Sequence, residues 1–221
     1  MTISINKPAD LAPFIDHTLL KPDATHEELK NLCQEAIQYS FATVCVNSSN
    51  IALVKSYLKD SSVKPIAVVG FPLGACSTSA KVFEAQEALA QGACEIDMVM
   101  NIGALKSKDY LKVFQDIEEV VVGCKKIPVK VILETSSLDN NEKSIACALS
   151  KMAGAAFVKT STGFGGGGAT VEDIRLMRKI VGPDMGVKAS GGIKNFEDAV
   201  QLIEAGANRL GSSKSVSLVT Q

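Results

Sequence analysis

Apolar residues gather in eight short runs: FIDHT (14–18), ATVCVN (42–47), PIAVVG (65–70), EIDMVM (95–100), VKVILE (129–134), AFVKT (156–160), GVKAS (186–190) and RLGSS (209–213). Most are rich in Val, Ile or Phe and lack the polar alternation of a strand with one wet face. That pattern suits strands covered on both faces in a parallel sheet. The stretches between them place apolar residues at helical period. HEELKNLCQEAIQYS (26–40) follows Thr25, with Glu28 three residues on to complete a capping box. STSAKVFEAQEALAQG (77–92), VEDIRLMRKIVG (171–182) and FEDAVQLIEAG (196–206) run up to Gly92, Gly182 and Gly206, glycines of the kind that end helices. Further helices are predicted over 48–59, 107–122 and 139–152.

No Ser/Gly/Pro-rich linker breaks this alternation. Eight strands with seven or eight helices in 221 residues predict one α/β domain over 1–221, a closed (β/α)8 TIM barrel. A doubly wound open sheet is the competing architecture. It needs a phosphate loop after its first strand, where this chain has LLKPDAT.

Composition narrows the partners. Hydrophobic residues make up 46% of the chain, enough for a large core, and the formal charge is −1. The only arginines, Arg175, Arg178 and Arg209, form no basic stripe, which argues against nucleic acid or an anionic membrane as partner. The amino terminus has no secretory pattern and no apolar run reaches the length of a membrane span, so a cytoplasmic location is expected. Cysteines 33, 45, 76, 94, 124 and 147 are scattered without metal-ligand spacing, so they read as reduced, mostly buried thiols. Neither a metal nor another cofactor is expected.

In such a barrel the active face lies at the carboxyl ends of the strands. Strand four brings Asp97, strand six ends in Lys159, strand seven carries Lys188, and strand eight runs into Gly211-Ser212-Ser213. VKTSTG and VKASGG hold their lysines in the same frame relative to a following glycine loop. On adjacent strands about 4.8 Å apart, two such ammonium groups at about 5 Å repel by roughly 3 kcal/mol, or about two pKa units. Desolvation acts in the same direction, favouring a neutral amine that attacks a carbonyl. Asp97, costly in an apolar strand unless paired, becomes a candidate proton carrier beside them.

The run GFGGGG (163–168) lacks β-carbons and can turn its amides toward an anion. More telling is the convergence of Thr162-Gly163, Ser190-Gly191-Gly192 and Gly211-Ser212-Ser213 after strands six, seven and eight, a common place for phosphate. Asp16 and Thr18, at the end of strand one, are placed at the same mouth as candidates for a substrate hydroxyl. Glu134 offers a further polar wall. Core packing is the default for Cys45, and His26 belongs on a solvated helix face; His17 is open between structure and function. On these residues alone, an amine-dependent lyase competes with a phosphosugar isomerase or epimerase and with a non-catalytic phosphosugar-binding module.

IDHTLLKPDAT, TVCVN, VVGFPLG, EIDMVMNIGALK, VKVILET, FVKTSTGF, VKASGGI and RLGSS together resemble the deoxyribose-phosphate aldolase family, from about residue 14 to 213. The resemblance implies a metal-free class I aldolase that reversibly cleaves 2-deoxy-D-ribose 5-phosphate to D-glyceraldehyde 3-phosphate and acetaldehyde. It implies Lys159 as the Schiff-base lysine, Lys188 as the group that depresses its pKa, and Asp97 as a proton relay through a bound water. Phosphate would rest on Gly163, Gly191, Gly192, Gly211, Ser212 and Ser213, with Thr18 and Thr162 near the sugar hydroxyls. A homodimer is implied as well. The chain departs from the pattern at Phe164, where some relatives carry a lysine, with Lys214 nearby as a substitute charge. It also departs at its end, SVSLVTQ, which has no terminal tyrosine.

Overall fold

Every apolar run becomes a parallel strand, and the eight close on themselves in sequence order, the eighth returning to pair with the first. The structure is a computed structural model describing residues 5–221. The strands are β1 (Ile15–Leu19), β2 (Thr43–Asn47), β3 (Lys64–Val69), β4 (Glu95–Val99), β5 (Val129–Ile132), β6 (Phe157–Lys159), β7 (Gly186–Ser190) and β8 (Arg209–Ser212). Nearly all their residues are buried on both faces, as the unalternating apolar runs required. Outside lie α1 (His26–Gln38), α2 (Ile51–Tyr57), α3 (Thr78–Ala90), α4 (Ile102–Lys106), α5 (Tyr110–Gly123), α6 (Asn140–Met152), α7 (Val171–Val181), α8 (Phe196–Glu204) and α9 (Ser215–Thr220). The result is a (β/α)8 TIM barrel.

Local chemistry explains most of the helix ends. Thr25 and Glu28 form the reciprocal capping box at the start of α1. Gly92, Gly182 and Gly206 have φ of +110°, +77° and +119°, so each takes the left-handed turn that releases a helix toward the next strand. One predicted helix starts later than expected, and a short helix, α4, precedes it outside the predicted span. In the span 107–122 the helix begins only at Tyr110, because Lys108 adopts φ +59° and Asp109 caps α5 by accepting the Lys112 N–H, which separates it from α4. The span 48–59 opens with a 3-10 turn, Ser48–Asn50, before α2. The 3-10 segment Pro8–Phe14 and α9 carried no periodic signal; they pack against each other. Strand five ends before its apolar run does, and Glu134, the last residue of that run, turns left-handed at φ +55° and leads the chain into a 3-10 turn. Among the described residues no helix is long and apolar enough to cross a membrane.

Register decides what meets inside the barrel. Lys159 of β6 is directly paired with Lys188 of β7, and Asp97 of β4 with Lys130 of β5. Those pairings put four ionisable side chains into an interior that such barrels usually fill with branched apolar residues.

Candidate active site

The loops after β1, β6, β7 and β8 enclose a cavity of about 580 Å³ at the carboxyl end of the barrel. Lys159 reaches it from below, while Thr18, Thr162, Gly163, Ser190–Lys194 and Gly211–Lys214 form its walls. Lys159 Nζ lies 2.9 Å from Asp97 Oδ2, and Lys188 Nζ lies 2.7 Å from the same oxygen. The two amines therefore share one carboxylate atom. Lys188 is fully buried, whereas Lys159 keeps a 3% opening and borders the cavity.

Their electrostatics diverge although their surroundings are similar. Burial pushes the Lys159 ammonium below its ordinary value, and nearby Lys188 adds to the depression against the opposing pull of Asp97. Burial acts on Lys188 too, but Asp16 and Asp97 outweigh it and hold that ammonium above its ordinary value. Against the cost of burial, Lys130, Lys159 and Lys188 keep the Asp97 carboxyl well below the usual carboxylate range. The geometry thus supplies one amine inclined to lose its proton beside one held charged, the division that nucleophilic attack on a carbonyl needs.

The wall proposed from the sequence to hold an anion is built largely from backbone. Gly163, Gly191 and Gly192 have φ of +87°, +81° and +75°, conformations that only glycine adopts without strain. Gly211, Ser212 and Ser213 complete the wall from β8 and the loop after it, and the Ser212 hydroxyl accepts the Lys214 N–H at 3.0 Å. The glycine run does something different from what its letters suggest. Of the glycines in the run only Gly163 borders the cavity, with Phe164 beside it. A β-carbon on Gly165 would strike Glu134, one on Gly167 Ser136, and one on Gly168 the Gly191 carbonyl oxygen at 2.4 Å. The run is there for close chain crossing, laying the loop after β6 over its neighbours. Gly168→Ala is therefore expected to displace Gly191 and raise KM for a phosphorylated substrate by about tenfold while kcat changes less than threefold; steady-state kinetics check the split.

The family follows from comparison. The DeoC/LacD family aldolase model matches residues 11–213. The chain belongs to that aldolase family. A DeoC/LacD relative from Thermococcus gammatolerans named deoxyribose-phosphate aldolase is 60% identical over 214 residues, 95% of either chain. One of the same name from Thermococcus kodakarensis is 58% identical over 217 residues, 95% of this chain and 96% of its own. The solved structure of deoxyribose phosphate aldolase from Aeropyrum pernix, described as a unique tetrameric structure, superimposes with a TM-score of 0.90 at 36% identity. That match covers 96% of this chain and 91% of the other.

Within this DeoC/LacD aldolase two residues sit differently from the sequence expectation. Asp16 does not line the cavity and is wholly buried; Lys188, Arg209 and Thr43 occupy its oxygens at 2.5, 2.7 and 2.6 Å. It faces the lysine, not a substrate hydroxyl, because it lies two residues deeper along β1 than Thr18. Lys188, Lys130 and Arg209 overcome the cost of burial and bring its pKa to about 2. Thr162 does border the cavity, but its hydroxyl is already committed: it donates to Glu134 and accepts the Phe164 N–H at 3.0 Å. Thr18 also borders the cavity, its hydroxyl donating to the Asp16 carbonyl at 2.8 Å.

One participant had no sequence signal of its own. Lys130, inside VKVILE, is fully buried and meets the other oxygen of Asp97 at 2.8 Å. Asp97 thus touches three amines by direct contact. His17 resolves as a strut, Nε2 meeting Glu35 at 2.7 Å and Nδ1 meeting Ser215 at 2.9 Å, which ties β1 to α1 and α9. Phe164 packs edge-on against Phe71 across the rim. Among the described residues no cluster of three or more His, Cys, Asp or Glu side chains is arranged to hold a metal ion.

Proposed function

We propose that this chain cleaves 2-deoxy-D-ribose 5-phosphate reversibly to D-glyceraldehyde 3-phosphate and acetaldehyde through an imine on Lys159. One observation carries the reading: Lys159 opens on the cavity while sharing an Asp97 oxygen with a second, more deeply buried ammonium. The neutral Lys159 amine adds to C1 of the open-chain sugar, and the nitrogen loses a proton along its contact with Asp97. Loss of water gives the iminium. The C3 hydroxyl then gives up its proton and the C2–C3 bond breaks, its electron pair flowing into the iminium to leave an enamine. C3 departs as the aldehyde of glyceraldehyde 3-phosphate. Protonation of the enamine at C2 and hydrolysis release acetaldehyde and return the amine.

In this reading the phosphate rests on amides around Gly163, Gly191, Gly192 and Gly211 with the hydroxyls of Ser212 and Ser213, and Thr18 and Thr162 meet sugar hydroxyls as acceptors. Lys188 stays charged and supplies the local positive field. Homodimer formation belongs to the same reading, and sedimentation at micromolar concentration measures it. The function is tested by cyanoborohydride reduction in the presence of acetaldehyde. A single adduct of mass +28 on the peptide containing Lys159 is expected. No adduct, or an adduct on another lysine, overturns the assignment.

A further inference from the structure

Below the cavity the barrel interior holds seven ionisable side chains in a pattern that accounts for the character of Lys159. Lys130 is paired with both Glu95 and Asp97, Lys188 with Asp97 and Asp16, and Arg209 with Asp16 and Glu95. Followed in order, Lys130, Asp97, Lys188, Asp16, Arg209 and Glu95 form a closed ring of alternating charge drawn from β5, β4, β7, β1 and β8. Each member has two neighbours of opposite sign within the ring, and three cations balance three anions. Lys159 is the seventh. Its single carboxylate neighbour among the described residues is Asp97, already engaged on both oxygens by ring members.

We propose that this ring, closed at its lower end by Arg209 and Glu95, keeps Lys159 an uncharged nucleophile by pairing its own charges with one another and leaving the seventh group no counter-ion of its own. The inference rests on the imine reading of Lys159. Arg209 and Glu95 do not border the cavity and act through Asp16, Lys130 and Asp97, so they are positioning residues. With side chains 17% and 13% exposed, they are the least buried ring members, the place where its charge can be altered with least damage to packing. The ionisable groups facing Lys159 are Asp97 from β4, Lys188 from β7, Lys130 from β5 and the Cys45 thiol from β2, with Asp16 and Arg209 behind them; β3 contributes Ile66 and Val68. Burial lowers and ring partners raise the basicity of Lys130, Lys188 and Arg209, and the partners win at all three, whereas burial wins at Lys159.

Single-charge changes at the floor therefore move Lys159 in opposite directions. A unit charge roughly 10 Å away, at an effective dielectric of about 20 to 40, displaces a pKa by about 0.6 to 1.2 units. The measurement is the acid limb of kcat/KM against pH, which reports the free enzyme, with acetaldehyde trapping by cyanoborohydride to locate the amine. Arg209→Met leaves the ring with surplus negative charge, and its midpoint is expected to rise by about one pH unit. Glu95→Gln leaves surplus positive charge, and its midpoint is expected to fall by a similar amount. Arg209→Lys and the double variant Arg209→Met/Glu95→Gln, both balanced, are expected within a few tenths of a unit of the parent. Where Arg209→Met alone does not fold, the double variant against Glu95→Gln carries the test.

Unmoved midpoints with lower rates at every pH, or midpoints moving the same way in both single variants, would overturn the ring as the cause while leaving imine formation on Lys159 intact. Absence of a Lys159 adduct in the parent overturns the imine reading itself and this inference with it.

Discussion

Lys159→Met is expected to lower the cleavage rate by about 10⁴-fold or more, and to leave the protein at least as stable as the parent. The first half follows from removing an amine that borders the cavity and that burial inclines toward neutrality. Lys159→Arg is the sharper control. It keeps a basic side chain but no nucleophile, so an imine mechanism loses as much activity as in the methionine variant; an isomerase that uses a carboxylate or histidine base would retain much of its rate. The second half follows from linkage. The folded-state pKa of Lys159 lies below its unfolded value, so between the two the unfolded chain binds a proton that the native state gives up. That proton destabilises the native state at low and neutral pH, and the penalty fades as pH rises toward the unfolded value near 10.4. Methionine removes that penalty, and because apolar replacement of buried ionic groups is commonly neutral to stabilising, Tm is expected to hold or to rise by a few degrees. Calorimetry of parent and variant at pH 7 checks the sign, and a drop in Tm would show that Lys159 belongs to the balanced charges of the core.

What was legible in the sequence is what is periodic or repeated. Strands buried on both faces announce themselves by runs such as VKVILE and ATVCVN, and the identical offset of the lysines in VKTSTG and VKASGG carried over into direct register between Lys159 and Lys188. Depth along a strand left no such trace. Asp16 and Thr18 point the same way, but at about 3.3 Å per residue they stand at different heights, one in the ring and the other at the cavity. Lys130, Glu95 and Arg209 were hidden for a related reason: each is one ionisable residue in or beside an apolar run, and its partners lie far away in the chain. The purpose of GFGGGG was illegible because it depends on what crosses it, namely Glu134, Ser136 and the Gly191 carbonyl.

Asp97→Asn is expected to cost about 3 to 5 kcal/mol of stability. The carboxylate is fully buried and is shared by Lys130, Lys188 and Lys159, so an amide of the same shape leaves two ring cations each short of a neighbour. In a chain of this size the Tm falls by roughly 10 °C or more. Loss of packing and loss of charge predict different outcomes on adding a second substitution. If packing were the cause, Lys130→Met in the Asp97→Asn background would add further damage. If charge is the cause, it restores the balance of two cations and two anions and recovers at least half of the loss, a coupling that a double-mutant cycle reads directly. The acid limb of stability supplies a second check. Asp97 and Asp16 both have folded-state pKa values below their unfolded ones, Asp16 at about 2. Their stabilisation is complete above the unfolded value near 3.9 and is lost as pH falls below it. Asp97→Asn removes one of these two groups, so its stability should decline less steeply than the parent's between about pH 4 and pH 2. An equally steep decline would place the acid sensitivity in carboxylates outside the ring.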